Sequence, residues 1–284
     1  MRLSAHRKSI SDAPILFLFG LLLAHAPALA QNPSSKTQSP SPTRPVRHES
    51  VEVVAHLSPE EVEEGKLNDA YEPIAQLQRK GACTTEIIQR YQSEVIPLAD
   101  KSAFNVPKNK FLFLANRDIG NCYMTQHRYE EAEASFKKIM EYLPVWPGTN
   151  DSDYPINFRQ IATAQMGQQR WETAEESLKK SVALFDPQIE RALKSDSEFS
   201  RTEHAGNLLG SKARSLSYLA IVYLREGRIT EALQAAELAN DEANRPHVPA
   251  MFANEVVKLG RSIAQESGDE RAIAEWQQRN PRQN

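Results

Sequence analysis

The sequence predicts an all-α chain, a solenoid of stacked helical hairpins that follows an exported leader and a linker. Three observations predict it. From Ser58 onward the apolar residues recur at helical period. The stretch "DIGNCYMTQHRYEEAEASFKKIMEYLP" (Asp118 to Pro144) places small residues where two helices must touch and large ones where they must interlock. The same small–large–small order returns around Ala174, Ala232 and Ala272. A hairpin of this kind cannot bury its own apolar face, so copies must stack.

The N-terminal segment is a different kind of sequence. Arg2, Arg7 and Lys8 precede the apolar run Pro14 to Ala24, and Ala28-Leu29-Ala30 forms a small-x-small cleavage site. This is the pattern of a signal peptide over residues 1–30, with Gln31 as the mature N-terminus. The apolar run is short for a permanent membrane span, so no stable membrane insertion is expected after cleavage. Removing residues 1–30 takes out three of 34 Lys/Arg and one of 37 Asp/Glu, leaving 31 and 36 and a net charge of −5. That balance gives no reason to expect a nucleic-acid partner. A periplasmic or secreted location follows. Residues 31–50 are rich in Pro, Ser, Thr and Gln and cannot offset their ordering entropy by burial. With the extended lead-in Val51 to Leu57, a short strand if it met a sheet edge, they make a linker over 31–57.

The first helix is expected to open at Ser58-Pro59-Glu60-Glu61: a Ser cap, Pro at the first helical position and Glu three residues after the cap. Leu67, Ala70, Tyr71, Ile74 and Ala75 give its apolar face. A second helix follows Gly81, with Ile87, Ile88, Tyr91, Val95 and Leu98 in one stripe. These form an N-terminal pair over 58–107, and Pro107 marks the entry to the next helix. About four further helical pairs fill 108–284.

The spacing Ile119-Gly120, Tyr123, Tyr129, Ala132, Phe136, Pro144 resembles the tetratricopeptide repeat, a family whose unit is about 34 residues. A second copy carries Phe158, Ile161-Ala162, Trp171, Ala174, Leu178 and Pro187. A third has Leu216, Leu219-Ala220, Tyr223, Ile229, Ala232 and Pro246, and a fourth has Val256, Leu259-Gly260, Ile263, Ala272 and Trp276. The Ala anchors lie 42, 58 and 40 residues apart, so every junction carries extra residues. The largest excess, Pro187 to Ala213, is expected to add one short helix and lengthen the next.

No residue pattern demands chemistry. The five His after residue 30 (His48, His56, His127, His204 and His247) show no paired ligand spacing, and no metal or cofactor is called for. No nucleophile elbow, phosphate-cradling loop or dinucleotide fingerprint occurs. Cys83 and Cys122 stand about 20 and 19 residues on either side of a turn near Ala103, so an antiparallel hairpin brings them to equal height. In an oxidising compartment that permits a disulfide; the alternative is two buried free thiols.

The resemblance also implies a groove. In this family the first helices of successive pairs line a concave face, which places Arg117 and Asn121 of the first copy, Arg159 and Gln160 of the second and Arg214 of the third toward it. Family members that grip a C-terminal carboxylate use basic residues and Asn at such positions; Tyr218 departs from their pattern. Guanidinium forks match carboxylates, so an acidic or C-terminal segment of a protein or peptide is the expected partner. The function this implies is an exported scaffold or adaptor without catalytic activity. The alternatives are an enzyme or solute-binding protein that uses the groove as a pocket, or a self-assembling envelope component.

Overall fold

The computed structural model describes residues 57–145 and 153–279. The leader over 1–30 and the linker as far as His56 lie outside the described residues. The helices belong to one compact unit, Pro59–Asn284; of the other unit, Met1–Ser58, only the last two residues are described. Every regular element among the described residues is helical.

An opening helix, α1 (Pro59–Arg79), is followed by α2 (Thr85–Arg90), a π-helical turn (Tyr91–Val95) and α3 (Ile96–Asp100). Four hairpins come next: α4 (Asn105–Thr125) with α5 (Tyr129–Tyr142), α6 (Asp153–Gly167) with α7 (Trp171–Leu193), α8 (Ala205–Arg225) with α9 (Ile229–Ala243), and α10 (Ala250–Ser267) with α11 (Glu270–Gln278). Each helix from α4 to α11 packs on the next in sequence, and α8 also packs on α6 and α10.

The turn inside each of the first three hairpins is built the same way. The first helix ends at a residue with positive φ: His127 at 59°, Gln169 at 60° and Gly227 at 76°. The following arginine then donates its N–H back across the turn, Arg128 to the Tyr123 carbonyl at 2.9 Å, Arg170 to that of Gln165 at 2.9 Å and Arg228 to that of Tyr223 at 2.8 Å. This closure satisfies orphan carbonyls at the helix end. Each arginine carbonyl accepts from an alanine N–H four residues on, Ala132, Ala174 or Ala232, at 3.0 Å. Those alanines are fully buried, because each stands where the second helix crosses the first. Opposite Ala132 in that crossing is Gly120. A Cβ there would sit 2.4 Å from the Phe136 ring, which is itself buried, so only hydrogen fits.

Ion pairs tie one hairpin to the next at these turns. Glu133 on α5 is 6% exposed at its side chain and takes Arg170 at 2.9 Å, with Lys137, Gln165 and Gln168 also donating to it. Burial alone would raise its pKa, but the donated bonds outweigh that and hold it below the usual carboxylate value. Glu175 on α7 takes Arg228 in the same way at 2.6 Å. The guanidiniums of Arg128 and Arg228 also lie over the rings of Tyr123 and Tyr223, 4.4 and 4.2 Å from the centroids.

Of the expectations for individual helices, those for the second helix and for Pro107 are met, and those for Pro187 and the long junction are not fully met. The second helix runs unbroken over 85–100. Pro97 has no N–H to return to Ser93, and the helix widens just before it, with the Ile96 N–H reaching the Tyr91 carbonyl. Helix α4 begins at Asn105, so Pro107 lies within its first turn, where a missing N–H costs nothing. Pro187 does not end its repeat; α7 runs through it to Leu193, with the proline on the exposed side. The long junction adds no separate helix. Its residues extend α7 and, as expected, lengthen the next helix, running through a π-helical turn at Ser200–His204 into α8.

Gln169 holds a left-handed conformation with an exposed side chain. Glycine would adopt it without the Cβ penalty of about 1 kcal/mol. Gln169→Gly is therefore expected to raise the melting temperature by about 2–4 °C, measured by calorimetry against Gln168→Gly, which should lower it.

Candidate functional site

The first helices of the hairpins form a row, and polar contacts cross it at each step. Between α1 and α4, the Tyr71 hydroxyl donates to Asp118 Oδ2 at 2.6 Å. The Tyr91 hydroxyl lies 3.2 Å from the same oxygen and 3.0 Å from Gln78 Oε1, while Gln78 Nε2 donates to the Asp118 carbonyl at 3.0 Å. Burial, reinforced by the Asp118 charge, raises the pKa of both tyrosines. Arg117 donates to Asp118 Oδ1 at 3.1 Å. Burial opposes its charge, but Asp118 more than offsets that, and its pKa stands above the ordinary arginine value. Arg117 therefore serves a buried cluster as well as the surface of the row.

Below this cluster Cys83, in the loop before α2, is joined to Cys122 of α4 by a disulfide with Cα atoms 4.9 Å apart. The Gln126 side-chain amide donates to the Cys83 carbonyl at 2.8 Å. The N-terminal pair is thus fixed to α4 by one covalent and several polar links.

Between α4 and α6, Gln160 Nε2 reaches Asn121 Oδ1 at 3.4 Å. Between α6 and α8, Arg159 Nη1 donates to the Ser211 carbonyl at 2.9 Å. Between α8 and α10, Arg214 makes a two-pronged pair with Glu255, at 3.1 and 3.0 Å, and its guanidinium lies 4.8 Å from the Phe252 ring centroid. The five residues assigned to the groove thus fall on one row, but in different states. Arg117 and Arg214 already hold carboxylates. Asn121 and Gln160 hold each other. Arg159 is half-buried and has no carboxylate partner among the described residues. Burial, then the nearby Arg214 charge, pulls its pKa down to about 10, which leaves it protonated at neutral pH.

Sequence reasoning did not find Glu255, Asp118 or Ser211 as parts of this row. Glu255 lies 41 residues from Arg214, and no local pattern links them. Tyr218, read as a departure from the family pattern, is buried one helical turn beyond Arg214, and that burial raises its pKa.

No family model matches the chain, and no curated protein does. Solved structures do. The structure of a point variant of a Podosopora anserina putative kinesin light chain with nearly identical TPR-like repeats matches at a TM-score of 0.50 and 16% identity, covering 78% of this chain and 96% of that one. A second structure of that kind of protein matches at 0.49 and 15%, covering 75% and 94%. The fold is tetratricopeptide-like. At this identity the likeness concerns the fold alone. No helix among the described residues is long and apolar enough to cross a membrane.

One further group on the tetratricopeptide-like row is out of balance. Both carboxylate oxygens of Glu266 on α10 are buried without a hydrogen-bond partner. Burial raises its pKa, and Arg225 on α8 opposes the shift. A raised native pKa means that ionising Glu266 lowers stability as pH rises. The Glu266→Gln variant should match the wild type below about pH 4, where a free glutamate is protonated. As pH rises the variant should become the more stable by about 1 kcal/mol, and the gap should stop growing above the raised native value. Urea unfolding across this pH range measures the difference.

Proposed function

We propose that this protein is an exported, non-catalytic scaffold that binds an acidic segment of another protein along the face carried by α4, α6 and α8. The tetratricopeptide-like fold supports protein interaction in general. One observation carries the finer reading: Arg159 has one N–H engaged by the Ser211 carbonyl and no carboxylate paired with it among the described residues. A partly desolvated guanidinium of this kind gains from a carboxylate ligand more than a solvated one would. Asn121 and Gln160 stand beside it as amide donors that a peptide backbone can recruit.

Export is supported by the leader pattern over residues 1–30 and by the Cys83–Cys122 bridge, which persists in an oxidising compartment. Under this reading, N-terminal sequencing of the secreted chain returns Gln31; a chain that retains Met1 removes export from the proposal.

The peptide reading is tested with fluorescein-labelled hexaglutamate, titrated by anisotropy at low salt. Arg159→Ala is expected to weaken binding about tenfold, in line with the loss of one charge-assisted bond, while the melting temperature stays within about 2 °C of the wild type. Equal affinity in the two proteins would reject the site.

A further inference from the structure

Charge along this face is nearly balanced by the protein itself. Arg117 is matched by Asp118 at 3.1 Å and Arg214 by Glu255 at 3.0 Å. Arg159 makes no ion pair of its own among the described residues, although the Glu255 charge also acts on it from beside Arg214. Its anchor, the Ser211 carbonyl, lies one helical turn before Arg214 on α8. The Arg159 fork and the Arg214–Glu255 pair are therefore neighbours on one stretch of helix. The Arg214 side chain is 9% exposed, whereas that of Glu255 is 24% exposed, so of the two it is the carboxylate that meets an incoming ligand. Two guanidiniums and one carboxylate leave this subsite a net charge of +1.

We infer that Glu255 determines specificity here: by neutralising Arg214 and facing the ligand, it makes the Arg159 subsite accept a carboxylate and reject a phosphorylated residue. The inference rests on the peptide-binding reading above. A carboxylate carries one negative charge and matches the remaining guanidinium. A phosphoserine carries about −1.5 to −2 at pH 7. Its second charge would lie against Glu255 with no free cation to meet it, and like charges placed together at an interface exclude the wrong ligand. Without Glu255 the same subsite would hold two unmatched guanidiniums, an arrangement suited to phosphate. The selectivity of this face therefore comes from an acidic residue of the protein rather than from its arginines.

The test uses hexaglutamate and the same peptide with one central residue replaced by phosphoserine, titrated by anisotropy against the full mature chain. Wild type should prefer hexaglutamate by about tenfold or more at pH 7.5. Glu255→Gln keeps the side-chain shape and one acceptor for Arg214; it should abolish or reverse that preference. Glu255→Asp, which restores the charge, should regain it, an outcome that a merely structural role for Glu255 does not produce. A measurement on wild type alone guards against misfolding of the variants. Lowering the pH from 7.5 to 5.5 takes phosphoserine through its second ionisation near pH 6, so the gap between the two peptides should narrow. If hexaglutamate fails to bind wild type, the peptide-binding reading falls and this inference with it. If hexaglutamate binds through Arg159 but the preference is the same in Glu255→Gln, or the gap is the same at both pH values, the role of Glu255 falls alone.

Discussion

The two helices of each hairpin approach one another closely, and the turns and the joints between hairpins follow from that contact. Ala132, Ala174 and Ala232 are buried at the start of the second helices, and Gly120 faces Phe136 with room for hydrogen only. Because the helices come together here, the turn between them must be tight, and tightness imposes the left-handed residue and the backward N–H of the arginine. The same arginine is then held at a fixed point at the hairpin end. From there Arg170 and Arg228 reach Glu133 and Glu175 of the preceding hairpin. Packing within one pair thus sets the geometry by which pairs are joined.

The ends of the stack solve a different problem. At the N-terminal side α1 and α2 lack the repeated turn, and they are held instead by the Asp118 cluster and the Cys83–Cys122 bridge. At the C-terminal side Trp276 of α11 is buried over Gly260. The Arg279 guanidinium lies 3.9 Å from the Trp276 ring and pairs with Glu237 of α9 at 2.7 Å. Both ends use long-range polar contacts in place of another hairpin, as a quasi-one-dimensional fold requires of its caps.

The first-helix row is where the fold leaves several polar groups only partly matched. Within the hairpins the crossings are largely apolar, with Ser177 and Gln165 as a buried polar pair between α6 and α7. Along the row, Asp118, Asn121, Gln160, Arg159, Arg214 and Glu255 meet in succession. Arg159 without an ion pair, the orphaned carboxylate of Glu266 and the unpartnered Oδ1 atoms of Asn157 and Asn254 all lie on these first helices. Polar groups buried without a full set of partners lower stability.

The helical hairpins, their small-residue crossings and the placing of Arg117, Asn121, Arg159, Gln160 and Arg214 on first helices are legible in the residue order, since these depend on local periodicity and on spacing within one unit. That order placed Pro107 correctly at a helix entry but took Pro187 for a repeat end, because whether a proline ends a helix or merely rides on it depends on which side is packed. Which of the three arginines lacks an ion pair emerges only once the helices are packed. Arg117, Arg159 and Arg214 are alike in sequence, and their charges are settled by partners one residue away for Arg117 and 41 for Arg214, and by a carbonyl 52 residues away for Arg159. Electrostatic pairing is a property of distance in space, and the chain folds that distance through helices whose contacts no local pattern records.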